Sequence, residues 1–458
     1  MKQMNKTTKK LTIKEKLGYG VGDTASHFVW DMVGFWILIF YTDTFGISAA
    51  AAGTIMLIAR AWDMVSDPLM GIIADRTKTR WGKFRPYILW MALPYSILAV
   101  LTFSTPDFGN TGKVAYAAIT YFLLMTVFTA INLPYSSLGA VMSSDSYERA
   151  GLNSYRFIFA FIGQLIVSGT ALSLALFFGK GDQAKGYQIT LILFSIISFI
   201  LFMITFRTTR ERVQPPKEQK ESLREDFRNL LKNRPWVILF FVGIISFVMF
   251  AMQNLSLAYY FKYYIGKEEG VQLFNVIGTI ALIVVIPLSK PLAERFGKRN
   301  VFLASSLLSG LFFMLLFLPG LGNIKLNYTF NILAKMAYAP AVPLLWTMLA
   351  DTADYSEWKS GRRSTGLVFS AATFAQKAGW GIGGALAGWM LALFKFVPNV
   401  EQTDTAITGI KLMISVIPGI LYMSCSILLF FYNIDKKTCL IMKEELEARR
   451  EKAENVEN

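Results

Sequence analysis

The sequence predicts an all-α membrane protein whose chain crosses the lipid bilayer twelve times. Of its 458 residues, 54% are hydrophobic and 17% are charged, whereas soluble domains carry about 25% charged residues. The hydrophobic residues form runs of about 20, the length that an α-helix needs to cross a hydrocarbon layer about 30 Å thick. These runs lack the period-two alternation of a membrane β-barrel, which leaves a helical bundle as the fold class.

Twelve hydrophobic runs are long enough to span the bilayer. They lie near residues 24–44, 49–74, 86–104, 114–141, 152–178, 187–206, 236–263, 270–289, 300–319, 324–350, 364–394 and 407–433.

An even number of spans places both termini on one side of the membrane, and the basic residues indicate which side. Of the 46 Lys and Arg residues, 34 lie in the terminal segments and in the loops that share their side. The positive-inside rule therefore predicts that both termini are cytoplasmic. We expect a multi-pass protein of the cell inner (plasma) membrane.

The net charge of +15 does not indicate a nucleic-acid partner, because the basic residues lie in short clusters between hydrophobic runs rather than on one face. The two cysteines, Cys425 and Cys439, match neither a disulfide framework nor a metal site, and a single histidine makes a zinc hydrolase implausible. We therefore expect no covalent catalysis, no catalytic residue and no cofactor.

A charged segment at 207–235, with Pro215 and Pro216, divides the chain. It predicts an N-terminal six-helix bundle (1–206), a cytoplasmic linker (207–235), a C-terminal six-helix bundle (236–433) and a cytoplasmic tail (434–458). Apolar residues at helical spacing over 223–231 fit either a helix on the membrane surface or a solvated linker. The segments 71–89 and 290–303 repeat one pattern, in which an acidic residue is followed by Gly-Lys among basic residues. This repeat suggests two parallel halves with a site between them.

The second predicted span contains three charged residues, which are costly inside a membrane. Asp63 and Asp67 are four residues apart and therefore share one helical face, with Arg60 one turn before Asp63. Two adjacent carboxylates repel each other unless a proton or a cation lies between them. Pro68 has no amide hydrogen, which leaves the carbonyl of Met64 available as a further ligand. The pattern predicts a Na⁺ or proton site; alternatively, Arg60 only neutralises Asp63 in a structural pair.

Four motifs resemble the glycoside-pentoside-hexuronide:cation symporters of the major facilitator superfamily. They are AWDMVSDPLMG (61–71), DRTKTRWGKFRP (75–86), NLPYSSLG (132–139) and DTADYSEWKSGRR (351–363). The resemblance implies two pseudo-symmetric six-helix bundles, alternating access, and co-transport of a sugar with Na⁺ or H⁺. It also implies that Asp63 and Asp67 bind the cation, with Thr129 and Lys377 nearby.

A sugar site needs hydrogen-bonding groups and an aromatic face inside an apolar cleft. The candidate substrate-binding residues are His27, Trp30, Asp31, Asn132, Arg156, Gln164, Trp346 and Lys377. Galactoside carriers of the family have aspartates where this chain has His27 and Asn132, so galactoside specificity does not carry over. Arg156 makes an anionic hexuronide conceivable, and neutral pentosides remain equally open.

The resemblance further implies a cytoplasmic gate formed by Arg295, Asp351 and Arg363. Without the resemblance, these charges would be read as a solvated helix end. Ion pairs near water contribute little individually, which suits contacts that must break in each transport cycle.

We expect a sugar or glycoside, the coupling cation and membrane lipid as the only partners, and a functional monomer. Two alternatives remain: a carrier of the same fold for a lysolipid or another amphipath, and a membrane receptor or scaffold that binds a ligand without moving it.

Overall fold

The computed structural model describes residues 11–143, 146–212, 228, 230–320, 323–360 and 365–457. Across these ranges the chain is helical, and its only strand-like feature is an isolated bridge between Thr79 and Gly82. The chain forms two compact units, one of Met1–Glu218 with Leu391–Glu401 and the other of Gln219–Met390 with Gln402–Asn458. Most of the predicted 207–235 linker, including the 223–227 part of its amphipathic pattern, lies outside the described residues.

The first unit contains six long helices. They are α1 (Ile13–Ile39), which continues as a π-helix over Phe40–Phe45, α2 (Ala49–Arg76), α3 (Arg85–Thr102), α4 (Asn110–Met142), α5 (Ser146–Gly179) and α6 (Gln183–Thr208).

The second unit contains the remaining helices. They are α7 (Arg234–Tyr259), which continues as a π-helix over Tyr260–Ile265, α8 (Gly270–Val285), α9 (Ser289–Phe296), α10 (Lys298–Leu315), α11 (Ile324–Tyr338), α12 (Ala341–Ser360), α13 (Thr365–Leu393), α14 (Asp404–Ile414), α15 (Val416–Phe430) and α16 (Lys436–Glu457).

Three predicted spans of the second unit are interrupted, and proline explains the breaks. Pro287 lies in the 3₁₀ turn between α8 and α9, and Pro340 lies between α11 and α12. Pro418 follows the junction of α14 and α15 at Ser415. Each proline lacks the amide hydrogen that the preceding turn needs, so the helix bends or restarts there.

The first helix of each unit ends in the same way. The π-helix Phe40–Phe45 is followed by Gly46, and the π-helix Tyr260–Ile265 is followed by Gly266. Both glycines are left-handed, with φ of 80° and 73°, a conformation that glycine adopts without a steric penalty. The repeated ending supports the prediction that the two halves are versions of one bundle.

Within the described ranges, eight helical stretches have the length and hydropathy of a membrane span. Helix α2 is not among them, because Arg60, Asp63 and Asp67 lower its hydropathy. Large apolar side chains are exposed along other helices, such as Phe177 at 71% and Ile196 at 53%. Exposure of this kind fits a surface covered by lipid.

Helix α1 is buried along nearly its whole length between α5 and α6. Its glycines permit this close approach. A Cβ atom on Gly20 would lie 2.6 Å from the Phe159 ring, and one on Gly22 would lie 2.6 Å from the Tyr135 ring. Small residues at helix contacts are the usual way in which membrane helices approach each other.

The turn between α2 and α3 is held by a carboxylate from the chain beyond α6. Glu211 accepts hydrogen bonds from the backbone amides of Lys83, Phe84 and Arg85, at 2.9, 2.7 and 3.0 Å. Gly82 lies beside this carboxylate with φ of 111°, and a Cβ atom there would be 2.3 Å from Glu211 Cδ. The glycine is therefore required both by the backbone conformation and by the bound carboxylate.

We predict that Gly82→Ala lowers the thermal unfolding midpoint of the purified protein by several degrees, equivalent to about 1–3 kcal/mol, because the Cβ atom displaces Glu211 from three amides. Gly71→Ala is the matched control, since nothing lies within 4 Å of a Cβ atom at that helical position. Equal midpoints for the two variants would show that the Glu211 contact does not stabilise the fold.

Candidate cation and substrate sites

Asp63 forms a buried ion pair within α2. Its Oδ2 accepts a hydrogen bond from Arg60 Nη1 at 3.0 Å, and the two side chains are only 1% and 4% exposed. The Arg60 guanidinium also lies over the Trp30 ring, 4.5 Å from its centroid. This geometry fits the alternative in which Arg60 and Asp63 are a structural pair.

Asp67 lies in a different environment. It is half-buried, and its Oδ1 accepts a hydrogen bond from the hydroxyl of Thr129 on α4 at 3.0 Å. Trp62 Nε1 donates to Thr126 Oγ1 at 3.0 Å, which fixes the register of α2 and α4 about one turn away. The structure thus brings together Asp67 and Thr129, two of the residues that the sequence assigns to the cation.

Further oxygen atoms are available at the same level of α2. Pro68 lies inside the helix, so the Met64 carbonyl has no amide donor four residues later. Carboxylate, hydroxyl and carbonyl oxygens are the ligands that hard cations prefer. This part of α2 can therefore hold either a small hard cation or a proton.

Some of the substrate candidates of the first unit lie on α1 at helical spacing. His27 Nδ1 lies 2.9 Å from Asp31 Oδ2, one turn along the helix. Because this contact occupies Nδ1, the remaining ring nitrogen, Nε2, is the hydrogen-bonding atom that a sugar could use. His27 is 25% exposed and Asp31 is 8% exposed.

Arg156 of α5 is paired with Asp23 of α1. The distance from Arg156 Nε to Asp23 Oδ2 is 3.3 Å, and the guanidinium lies over the Tyr135 ring, 5.4 Å from its centroid. Asp23 is not among the predicted site residues. The two residues are 133 positions apart, and no local pattern in the sequence connects them. Because of this pair, the charge of Arg156 is already balanced.

The other substrate candidates of the first unit differ from one another in their contacts. Trp30 stacks on Phe128, with 4.5 Å between the ring centroids and 21° between the ring planes. Asn132 Nδ2 donates to Ser26 Oγ at 3.4 Å. Gln164 is half-buried on α5. The contacts of Trp30 with Phe128 and Arg60 take up ring surface on which a sugar could otherwise stack.

Trp346 and Lys377 belong to the second unit, on α12 and α13, and both are half-buried. Trp346 packs against the hydrophobic core of this unit. Helix α13 lies very close to α7, because a Cβ atom on Gly383 would be 2.4 Å from the Val248 carbonyl oxygen. The glycines of α13 thus serve helix packing.

Of the predicted gate residues, Arg295 lies in α9 and Asp351 lies in α12. Asp351 forms an ion pair with Lys298, with distances of 2.8 and 2.7 Å from Nζ to its two oxygens. Arg295 is exposed and lies over the Phe296 ring, and Arg363 lies outside the described residues. The partner of Asp351 in this structure is therefore Lys298, which the sequence did not single out.

The segment predicted as a cytoplasmic tail contains α16, which packs against α12. Trp358 Nε1 donates to Glu445 Oε2 at 2.7 Å, and Arg449 Nη1 donates to the Trp358 carbonyl at 3.1 Å. Cys439 of α16 lies 4.0 Å from Asp351. The helix thus lies beside the Lys298–Asp351 ion pair.

Two bundles of membrane-spanning helices, with one buried and one half-buried aspartate in the second helix, define a secondary transporter of the major facilitator superfamily. Solved structures support this fold. The crystal structure of the nucleoside transporter NupG aligns with a TM-score of 0.64, covering 92% of this chain and 100% of that one at 14% identity. A likeness at this identity shows the fold alone.

Residues 18–436 match the family described as MFS/sugar transport protein. The chain is 36% identical over 439 residues to the inner membrane symporter YicJ of Escherichia coli (strain K12), covering 95% of each chain. It is 33% identical over 426 residues to the isoprimeverose transporter of Lactiplantibacillus pentosus, covering 92% of this chain and 89% of that one. The chain belongs to this family, the glycoside-pentoside-hexuronide:cation symporters. It is a membrane-spanning sugar transporter and not an enzyme, as predicted.

The Arg60–Asp63 contact gives a prediction about the role of Asp63. Asp63→Asn and Arg60→Gln each leave one buried charge without its partner, which destabilises a protein by about 3–5 kcal/mol. The double variant should recover a large part of this loss, as measured by thermal unfolding in detergent. If Asp63→Asn unfolds like the wild type but does not accumulate substrate, Asp63 is a cation ligand instead.

Proposed function

We propose that this protein takes up a glycoside together with Na⁺ or H⁺ by alternating access, and that the cation binds at Asp67 and Thr129. The observation that carries the proposal is the contact between Asp67 and Thr129, which brings a carboxylate and a hydroxyl together on α2 and α4. Asp63 is held by a guanidinium, whereas Asp67 is held by a hydroxyl.

A hydroxyl and a guanidinium behave differently when a cation arrives. The Thr129 hydroxyl can rotate, turn its proton away and offer a lone pair to the cation, while a guanidinium has donors only. Asp67 can then contribute a full negative charge to the same ion, or accept a proton instead. Asp63 stays with Arg60 and shapes the site without having to bind the ion.

A chain of contacts connects this site with the substrate candidates of α1. Arg60 bridges Asp63 and the Trp30 ring, and Trp30 lies one turn from His27. A change in the charge balance of α2 can therefore shift the face of α1 that carries His27 and Asp31. Binding of the cation would raise the affinity for the sugar, and the sugar would raise the affinity for the cation by the same factor.

In this proposal the protein lies in the cell inner membrane with both termini in the cytoplasm, works as a monomer, and needs no cofactor besides the coupling ion. The Lys298–Asp351 pair, Arg295 and Arg363 form the cytoplasmic gate, which opens when the loaded carrier turns inward. Ion pairs near water are weak enough to break in each cycle.

Counterflow tests the transport function directly. Proteoliposomes preloaded with an unlabelled methyl glycoside should accumulate the same labelled glycoside, because exchange through a carrier needs no energy source. Methyl xyloside, methyl glucoside and methyl glucuronide are suitable probes, and lysophosphatidylcholine is the control for an amphipath carrier. Exchange of the lysolipid but not of any glycoside would contradict the proposal, and exchange of neither would indicate a receptor.

The cation site gives a second test. Asp67→Asn should abolish uphill uptake driven by a Na⁺ or proton gradient, because the carboxylate that binds the ion is lost. Thr129→Ala should raise the cation concentration for half-maximal uptake about five- to tenfold, the effect of about 1–1.4 kcal/mol from one lost contact. Thr126→Ala is the matched control, since it removes a hydroxyl one turn away that binds Trp62. Normal accumulation by Asp67→Asn would disprove the cation site.

A further inference from the structure

A second polar site lies in the other unit, around Lys335 of α11. Lys335 follows Asn331 by one turn and is next to Ala334, and these two residues are 2% and 0% exposed. Leu333 and Met336, on another side of the helix, are 36% and 39% exposed. Lys335 therefore lies on the side of α11 that faces the protein and not on the side that is available to lipid.

The side chain of Lys335 lies among three helices. A Cβ atom on Gly278 of α8 would be 3.4 Å from Lys335 Cγ and 2.7 Å from Asn331 Nδ2. The ammonium group lies 5.6 Å from the centroid of the Phe250 ring on α7. Phe250 in turn contacts Trp380 of α13 edge-to-face at 5.5 Å. Ligand sites are commonly lined by aromatic side chains with a few polar groups or one charged residue among them.

Lys335 has no acidic partner in the part of the chain that the structure describes. A lysine inside a membrane protein normally pairs with a carboxylate or marks a pathway for substrate. A negatively charged ligand could supply the missing counter-charge.

The neighbouring amides also lack partners. Gln253 and Asn254 follow Phe250 by three and four residues and so share its face of α7. They are 7% and 6% exposed. Both amide atoms of Gln253, and Nδ2 of Asn254, form no hydrogen bond within the described residues. Buried amides without partners are rare, because each loses its hydrogen bonds to water without replacement.

We propose that Lys335, Gln253 and Asn254 form a subsite for the carboxylate of an acidic sugar, so that the transported glycoside is a uronic acid derivative. Lys335 supplies the charge, and the two amides donate to the carboxylate or bind neighbouring hydroxyls. Arg156 is less suited to this role because Asp23 already balances its charge. The inference rests on the proposed function, since it names the substrate of the same carrier.

The test uses pairs of sugars that differ at one group. Methyl glucuronide and methyl glucoside, and the corresponding galactose pair, differ only by a carboxylate in place of a hydroxymethyl group at C6. Thermal unfolding of the purified protein with each sugar measures binding, and counterflow in proteoliposomes measures transport. We expect at least one uronide to stabilise the wild type and to exchange about tenfold or more faster than its neutral partner. The neutral sugar lacks the carboxylate, and the loss of a charged contact has an effect of this size.

Lys335→Gln should abolish this preference while the neutral glycoside still exchanges, and Lys335→Arg should keep it. Without ligand, Lys335→Gln should unfold at a temperature no lower than the wild type, because it removes a half-buried charge that lacks an acidic partner among the described residues. Gln253→Leu should weaken uronide binding with little change in packing volume. Lys325→Gln is the matched control, since Lys325 is exposed on the same helix.

The outcomes separate the two proposals. Equal binding of acidic and neutral sugars by the wild type, or an unchanged preference in Lys335→Gln, would overturn the subsite. Uronide binding that depends on Lys335 without exchange of any glycoside would support the subsite and refute transport.

Discussion

The central constraint in this protein is that a charge inside the membrane needs a partner. Arg60 and Asp63 satisfy it through a 3.0 Å contact between side chains that are almost fully buried. Arg156 and Asp23 satisfy it between α5 and α1. Each pair stabilises the first unit, because removal of either member would leave a charge that neither water nor lipid can stabilise.

The same constraint distinguishes structural charges from functional ones. A carboxylate in contact with a guanidinium balances its positive charge, so the two groups are expected to stay together. A lysine beside an aromatic ring, with no acidic partner among the described residues, keeps a charge that a substrate can use, and a carboxylate that accepts a hydrogen bond from a hydroxyl can also face a small cation. Asp67 and Lys335 are therefore the positions where ligands are expected, one in each unit.

The sequence predicted the fold class well because hydropathy and loop charge follow directly from the thickness and polarity of a bilayer. It also placed Asp67 and Thr129 at one site, although Thr129 came from the family resemblance and not from spacing. The breaks between α8 and α9 and between α11 and α12 could have been predicted from Pro287 and Pro340. Hydropathy alone hides the second of them, since both sides of that break are apolar.

Contacts between distant parts of the chain could not be predicted from the sequence. Asp23 meets Arg156 across 133 residues, and Glu211 meets the α2–α3 turn across about 126 to 128 residues. Helical periodicity relates residues three or four positions apart and carries no information at such separations. The sequence counted Arg156 as an available positive charge for this reason. Because Asp23 balances it, the group that could face the proposed acidic substrate is Lys335 of the second unit, a half-buried lysine without an acidic partner among the described residues.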